Sequence, residues 1–261
     1  MKMNNNIRTA LLFTIVLLVF TININSQTKW NLTITGGYTL PLADMKGDFP
    51  DTLGSAYLNF EKSSTLLTKS GFNIGANAKY CVDTLGKARV TGGFMYNSLS
   101  GSHDYSGPLG KVSYKNKVNI FTISAGAEYS FMPKKKFNPF IGLELSANFY
   151  SGKIEASGDT TFTQNRKSES RFGVTAGTGL NIMISNNIAA VIGVKYSLTN
   201  LIGKKTELVT TSVITDDQET GTSSFNELGL NDEENSVNNS KTLYMLQIYT
   251  GLSFYFGDIV K

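Results

Sequence analysis

From residue 30 onward, apolar and polar residues alternate with a period of two, the repeat of a strand with unlike faces. In Lys241–Phe256 one parity carries Tyr244, Leu246, Ile248, Leu252 and Phe254, and the other carries Gln247, Gly251 and Ser253. Arg171–Ile184 sets Phe172, Val174, Leu180 and Ile182 against Arg171, Thr175 and Asn181. Ile188–Leu201, Pro139–Lys153, Val118–Phe131, Phe72–Val82 and Trp30–Leu40 repeat the pattern, and Ala88–Leu99 follows it more weakly. Eight such segments result. Each exceeds the roughly 5–6 residues of an ordinary strand. Each also reaches the roughly 9–11 residues that a tilted strand needs to cross a bilayer.

The connections alternate in length. Asp83–Lys87, Pro133–Phe137 and Ser185–Asn187 are short; Pro41–Lys69, Gly101–Lys115, Ala156–Ser170 and Gly203–Ser240 are long. This rhythm predicts an all-β fold: a transmembrane up-and-down antiparallel β-barrel of eight strands, with short periplasmic turns and long external loops. Within the last loop, Leu208–Thr215 alternates weakly and predicts strands that extend outward as a hairpin.

Parity alone does not say which face meets lipid. The polar face is mostly Gly, Ser, Thr and Asn, without the many Lys and Glu of a solvated sheet. Small residues suit the crowded interior of a narrow barrel. Lys79, Arg89, Arg171 and Lys195 share that face with Glu128 and Glu144, which predicts a polar network inside the barrel. A closed lumen has to pair such charges, because a buried ion without a partner is costly. Aromatic residues near both strand ends predict interfacial girdles. Trp30, Tyr80, Tyr129, Phe131 and Phe256 fall on the turn side; Tyr38, Phe72, Tyr96, Phe149 and Tyr196 fall on the loop side.

The start of the chain has a different pattern. Lys2 and Arg8 form a positive n-region ahead of an apolar run, Thr9 to Ile22, and a polar stretch follows that ends near Ser26. This is the layout of a cleaved signal peptide over residues 1–26, with the barrel domain over 27–261. The run is shorter than the roughly 20 residues of a spanning helix.

Charged residues make up 17%, below the roughly 25% of soluble domains. Lys and Arg total 24 against 20 Asp and Glu, with no basic stripe, so no nucleic-acid partner is expected. Cys81 is alone, and no Cys/His cluster exists for zinc. His103, the single histidine, stands beside Asp104. A hydrolase would use such a pair, but no further catalytic set accompanies it, so a solvated loop histidine and no enzyme activity are expected. The acidic stretch from Glu207 to Glu234 could supply oxygen ligands to calcium, but it lacks a calcium-loop pattern and reads as a solvated loop. No cofactor is expected.

The closing stretch Tyr249–Phe256 (YTGLSFYF) and the segment Asn138–Ser151 (NPFIGLELSANFYS) join the signal and the eight parity segments in a further likeness. Over nearly all of 27–261 the chain resembles the small outer-membrane β-barrel domain family, of the general OmpA/OmpX type. It departs in one respect: Phe256 is followed by Gly257–Lys261, whereas such barrels often end on an aromatic residue. The resemblance implies a porin-like protein of the bacterial outer membrane. The expected role is structural or surface-interacting, with the external loops as the binding surface. A small-solute pore or carrier is the alternative, and an outer-membrane enzyme comes third. Expected partners are outer-membrane lipid and an external protein or surface ligand, and the barrel is expected to be monomeric.

Overall fold

The computed structural model describes residues 29–47, 66–107, 110–133, 135–158, 161–204, 211–215, 218–223, 228–230 and 237–257. The expected signal peptide lies outside the described residues. Eight long strands form the body: β1 (Trp30–Ala43), β2 (Ser70–Cys81), β3 (Ala88–Gly107), β4 (Gly110–Ser130), β5 (Phe137–Ser157), β6 (Thr161–Met183), β7 (Ile188–Ile202) and β12 (Leu243–Phe256). Between β7 and β12 lie four short strands: β8 (Thr211–Thr215), β9 (Gln218–Ser223), β10 (Leu228–Leu230) and β11 (Val237–Ser240).

The eight long strands pair antiparallel in a closed ring, in the order β5-β4-β3-β2-β1-β12-β7-β6, with β6 returning to β5. The seam between first and last strands runs from Trp30↔Phe256 to Ala43↔Leu243. Closure has a physical cause: hydrocarbon offers no hydrogen bonds, so no strand edge can remain open within it.

The two faces of the wall behave as the alternation requires. Trp30, Ile34, Ile74, Phe94, Ile123, Leu145 and Leu252 point outward and are exposed. Ile192 and Leu143, the bulky residues expected to face lipid, are 53% and 57% exposed. Thr33, Thr39, Asn73, Asn97, Asn148, Thr175, Gln247 and Ser253 are buried in the lumen. Aromatic side chains meet at both rims. Trp30 lies 4.8 Å from Tyr80 and Tyr129 lies 5.2 Å from Phe131 on the turn side. Phe72 and Tyr96 (6.3 Å), Phe121 and Phe149 (6.4 Å) and Tyr196 and Tyr244 (5.8 Å) meet on the loop side. On β4 the outward apolar series runs from Tyr129 to Phe121. It covers roughly 27 Å of strand and, at the usual tilt, roughly 20 Å of height, close to the apolar band of such barrels.

Two expected loops are strands. Gly101–Lys115 and Ala156–Ser170 continue β3–β4 and β5–β6 as tall hairpins, paired up to Gly107↔Gly110 and Ser157↔Thr161. The reason is a change of solvent. Past Phe121 the outward positions of β4 become Asn119, Lys117 and Lys115, while the inward ones become Ile120, Val118 and Tyr114. Above the membrane the wall is an ordinary water-facing sheet, apolar inside and polar outside. The strands flanking Leu208–Thr215 do not extend as a hairpin: β7 ends at Ile202 and β12 begins at Leu243, and residues 208–210 lie outside the described residues. A separate hairpin, β8–β9, forms instead, with β9 parallel to the outer end of β6.

At the opposite rim, residues 82–87 turn β2 into β3, with Gly86 at φ 78°. Asp83 Oδ1 accepts the Ala88 N–H at 3.0 Å and the Cys81 thiol at 3.3 Å. Burial would raise the Asp83 carboxyl, but the Ala88 amide and the Cys81 thiol outweigh it and hold the group below the usual carboxylate range.

Two predictions follow from these contacts. A Cβ at Gly251 would overlap the Ile34 carbonyl oxygen across the seam. Gly251→Val should therefore cost about 1–3 kcal/mol of strain and reduce the heat-modifiable, folded band on a semi-native gel; an unchanged band would show the seam to be tolerant. A carboxyl held low stabilises the folded state above its unfolded pKa, and that contribution is lost as pH falls through the folded value. Asp83→Ala should lower stability by about 0.5 kcal/mol at neutral pH, the low end for a solvent-exposed hydrogen bond. In strong acid, urea titration should find wild type and variant alike.

Candidate functional site

The lumen is built in layers. Toward the turn side of the lumen, Lys79 of β2, Arg89 of β3 and Glu128 of β4 converge. Register places Arg89 directly opposite Glu128 and Lys79 opposite Thr91. Lys79 Nζ lies 2.5 Å from Glu128 Oε2, and Arg89 Nη1 lies 3.2 Å from Oε1, so one carboxylate serves two cations. The Lys79 and Glu128 side chains are 6% and 5% exposed. Lys79 Nζ also sits 4.6 Å from the centre of the Phe140 ring, a cation–π contact.

A second pair crosses the lumen beside the first. Lys195 of β7 reaches over Gly177 of β6 and places Nζ 3.0 Å from both oxygens of Glu144 on β5. A Cβ at Gly177 would stand 3.0 Å from Lys195 Cγ, so the glycine leaves room for the crossing. Ser124 donates to Glu144 Oε2 at 2.9 Å. Arg171 is placed apart from these charges. It pairs with Glu169, two residues away on its own strand, toward the loop end. Of the six charged residues expected to share the interior, five therefore form two clusters in the lumen, and the sixth has a partner that parity reading overlooked. That partner lies beside a register shift between Tyr150 and Gly152, which breaks strict alternation in β6.

A cavity of about 60 Å³ lies between the two clusters. Thr35, Lys79, Glu128, Glu144, Thr175, Lys195, Gln247 and Tyr249 are among the residues lining it. Its wall is mostly apolar with a few charged and hydroxyl groups, and it is roomy enough for a few waters. Above it, amides and hydroxyls form a ladder. Asn97 Oδ1 accepts from Thr39 at 3.0 Å and from Gln247 at 2.7 Å; Asn73 donates to Thr39 at 3.0 Å. Asn148 accepts from Thr122 at 2.8 Å and donates to the Thr199 carbonyl at 2.9 Å.

Over that ladder lies an apolar layer that the parity pattern did not predict. Met45, Leu66, Leu99, Val118, Ile120, Tyr150, Leu243 and Met245 form one buried cluster across the lumen. A second cluster of Leu67, Tyr105, Tyr114 and Ala156 caps it, with Val112 and Phe162 packed alongside. Leu99, Val118 and Ile120 lie inside predicted strands on the parity opposite the lipid-facing one, whereas Tyr105 and Tyr114 fall in a stretch that reads as loop.

His103 is not a solvated loop residue. It is half-buried in β3, with its ring 4.6 Å from Tyr105. Strand alternation turns Asp104 to the opposite, exposed face. Most carboxylates of the acidic stretch lie outside the described residues. Among the described residues no group of three or more His, Cys, Asp and Glu could hold a metal, and Cys81 is a free buried thiol.

Removing Glu128 would strand two buried cations, whereas removing Glu144 strands one that is less buried. Glu128→Ala should cost about 3–5 kcal/mol, and Glu144→Ala should cost less. Urea unfolding of the reconstituted barrel checks the order; equal losses would mean that the lumen charges are solvated alike.

Solved structures resemble this chain at low identity. Neisserial surface protein A aligns at 14% identity, covering 89% of this chain and 100% of its own, with a TM-score of 0.47. OprG from Pseudomonas aeruginosa aligns at 15%, covering 90% and 100%, with a TM-score of 0.42. The outer membrane protease OmpT from Escherichia coli aligns at 10%, covering 91% and 99%, with a TM-score of 0.41. No curated protein matches the sequence. The outer membrane protein beta-barrel domain family matches residues 14–230, most of the chain. With its ring of eight antiparallel strands, the chain belongs to that family, a β-barrel of the bacterial outer membrane.

Proposed function

We propose that this barrel is a non-conducting, non-enzymatic scaffold whose tall outer hairpins bind a protein or other ligand outside the cell. The observation that carries this reading is the apolar layer of Met45, Leu99, Ile120, Tyr150, Leu243 and Met245 across the lumen. Ions avoid such a layer, and an eight-stranded barrel has an interior just wide enough for side chains to fill. The separation of His103 from Asp104 on opposite faces of β3 supports the absence of a catalytic pair. The hairpins support an external role: β3–β4 and β5–β6 rise well past the loop-side aromatic girdle, farther than crossing the membrane requires.

The mid-lumen cavity favours one competing reading, a narrow solute path. Planar-bilayer recording separates the two. The protein should give no stepwise single-channel current, and steady, ion-selective steps would overturn the scaffold reading. The hairpins should also be dispensable for the membrane part. Replacing 103–114 and 154–163 with tight turns keeps Leu99, Val118, Ile120 and Tyr150 in place. That variant should still insert and remain heat-modifiable; failure to insert would mean that the hairpins serve assembly rather than outside contact.

A further inference from the structure

Directly above the loop-side girdle, the outer wall of β4 and β5 carries a cationic patch. Lys117 stands opposite Lys153, and Lys115 stands opposite Glu155, on the outward parity of both strands. Lys153 is ion-paired with Glu155. On β4 and β5 three ammonium groups thus share this face with one carboxylate, Glu155, and Asp104 on the neighbouring β3 lies on the same outward face, diagonal to Lys115. Like charges facing each other across a strand pair are destabilising, so the juxtaposition of Lys117 and Lys153 calls for an anion between or beside them.

Height identifies that anion. The register row below the patch contains Phe121↔Phe149, whose rings meet at the loop-side rim of the apolar band. Lys117 is four residues beyond Phe121 on the same face. That is about 13 Å along the strand and roughly 10 Å of height at the usual tilt. The polar headgroup layer begins where the hydrocarbon ends and is roughly 5–8 Å deep on each side. A lysine ammonium on its flexible stem reaches down from just above this layer while its methylenes lie along the wall. The row between, Asn119↔Ser151, adds neutral hydrogen-bonding groups and no acid.

We propose that Lys115, Lys117 and Lys153 form a binding surface for the phosphate of an anionic lipid in the outer leaflet, with Phe121 and Phe149 against its acyl chains. The lipid sits upright against β4–β5, its chains in the apolar band and its phosphate between Lys117 and Lys153, with Lys115 above them. Glu155 competes with it for Lys153.

Spin-labelled phosphatidic acid and phosphatidylcholine, compared in phosphatidylcholine vesicles carrying the full chain, measure selectivity at the barrel wall. The wild type should favour phosphatidic acid, and Lys115→Gln/Lys117→Gln/Lys153→Gln should reduce that preference on the order of fivefold, the scale on which basic residues feel an anionic leaflet. Glu155→Gln should raise it. Lys135→Gln/Lys136→Gln, on the turn side, reports the preference contributed by the other leaflet and should leave the difference between patch variant and wild type intact. A wild type without preference, or a patch variant that keeps it, overturns the proposal. So does loss of the patch-dependent preference on adding inorganic phosphate at concentrations matching the labelled lipid, because the site would then take a free ion. A semi-native gel confirms that each variant is folded before comparison.

Discussion

The absence of a hydrogen-bonding partner in hydrocarbon governs this molecule. Every N–H and C=O of a strand inside the membrane has to be met by another strand, so the first and last strands must find each other. β1 and β12 do so along their whole length. From that closure come the ring and the adjacency of the two strand ends. It also explains why glycines such as Gly37 and Gly251 stand where opposing backbones approach too closely for a Cβ. Closure also creates the lumen, and the lumen creates the second problem: where charges and polar groups go once water is largely excluded.

Each strand solves that problem twice, because each passes through two solvents. Beside lipid, the outward residues are Phe121, Ile123 and Leu145, and the inward ones are Thr122, Ser124 and Glu144. Beyond the girdle the assignments swap on the same strands, without a break in pairing. On β3 and β4 the side-chain period remains two; only its phase relative to hydrophobicity reverses. The same inward row can therefore hold Glu128 near one end and Val118 near the other, and burial of both is favourable for different reasons. Glu128 is buried because it is paired, whereas Val118 is buried because water lies on the far side of the wall.

This reversal sets what the sequence made legible. The eight membrane segments, the three short turns and the aromatic rims were readable because lipid imposes one phase on all strands at once. The hairpin extensions were not. Ser102, Asp104 and Ser106 look like loop residues, and the inward row of Leu99, Tyr105 and Tyr114 becomes visible only when the phase is allowed to invert. The lumen charges were readable by parity, since Lys79, Arg89, Glu128, Glu144 and Lys195 sit in regular stretches. The partner of Arg171 was not, because Glu169 lies just before the alternating segment, in the stretch 156–170 that reads as loop. Met45 and Leu66 were beyond reach for another reason: they come from the first long connection, Pro41–Lys69, where no period operates, and they pack into the apolar layer.

The layering also explains why the charges pair as they do. Solvent reaching mid-lumen from outside would have to cross two apolar clusters and an amide ladder. Ions below them are stabilised by fixed partners rather than bulk water, and that favours the arrangement in which one carboxylate is divided between Lys79 and Arg89 and held in place by both. The excess positive charge of that triad faces the Phe140 ring and lies across the cavity from Glu144. Such an interior is well suited to holding a wall in shape and poorly suited to passing a solute. The surfaces free to recognise anything are then the outward ones: the hairpins above the girdle and the band of wall that meets the headgroups.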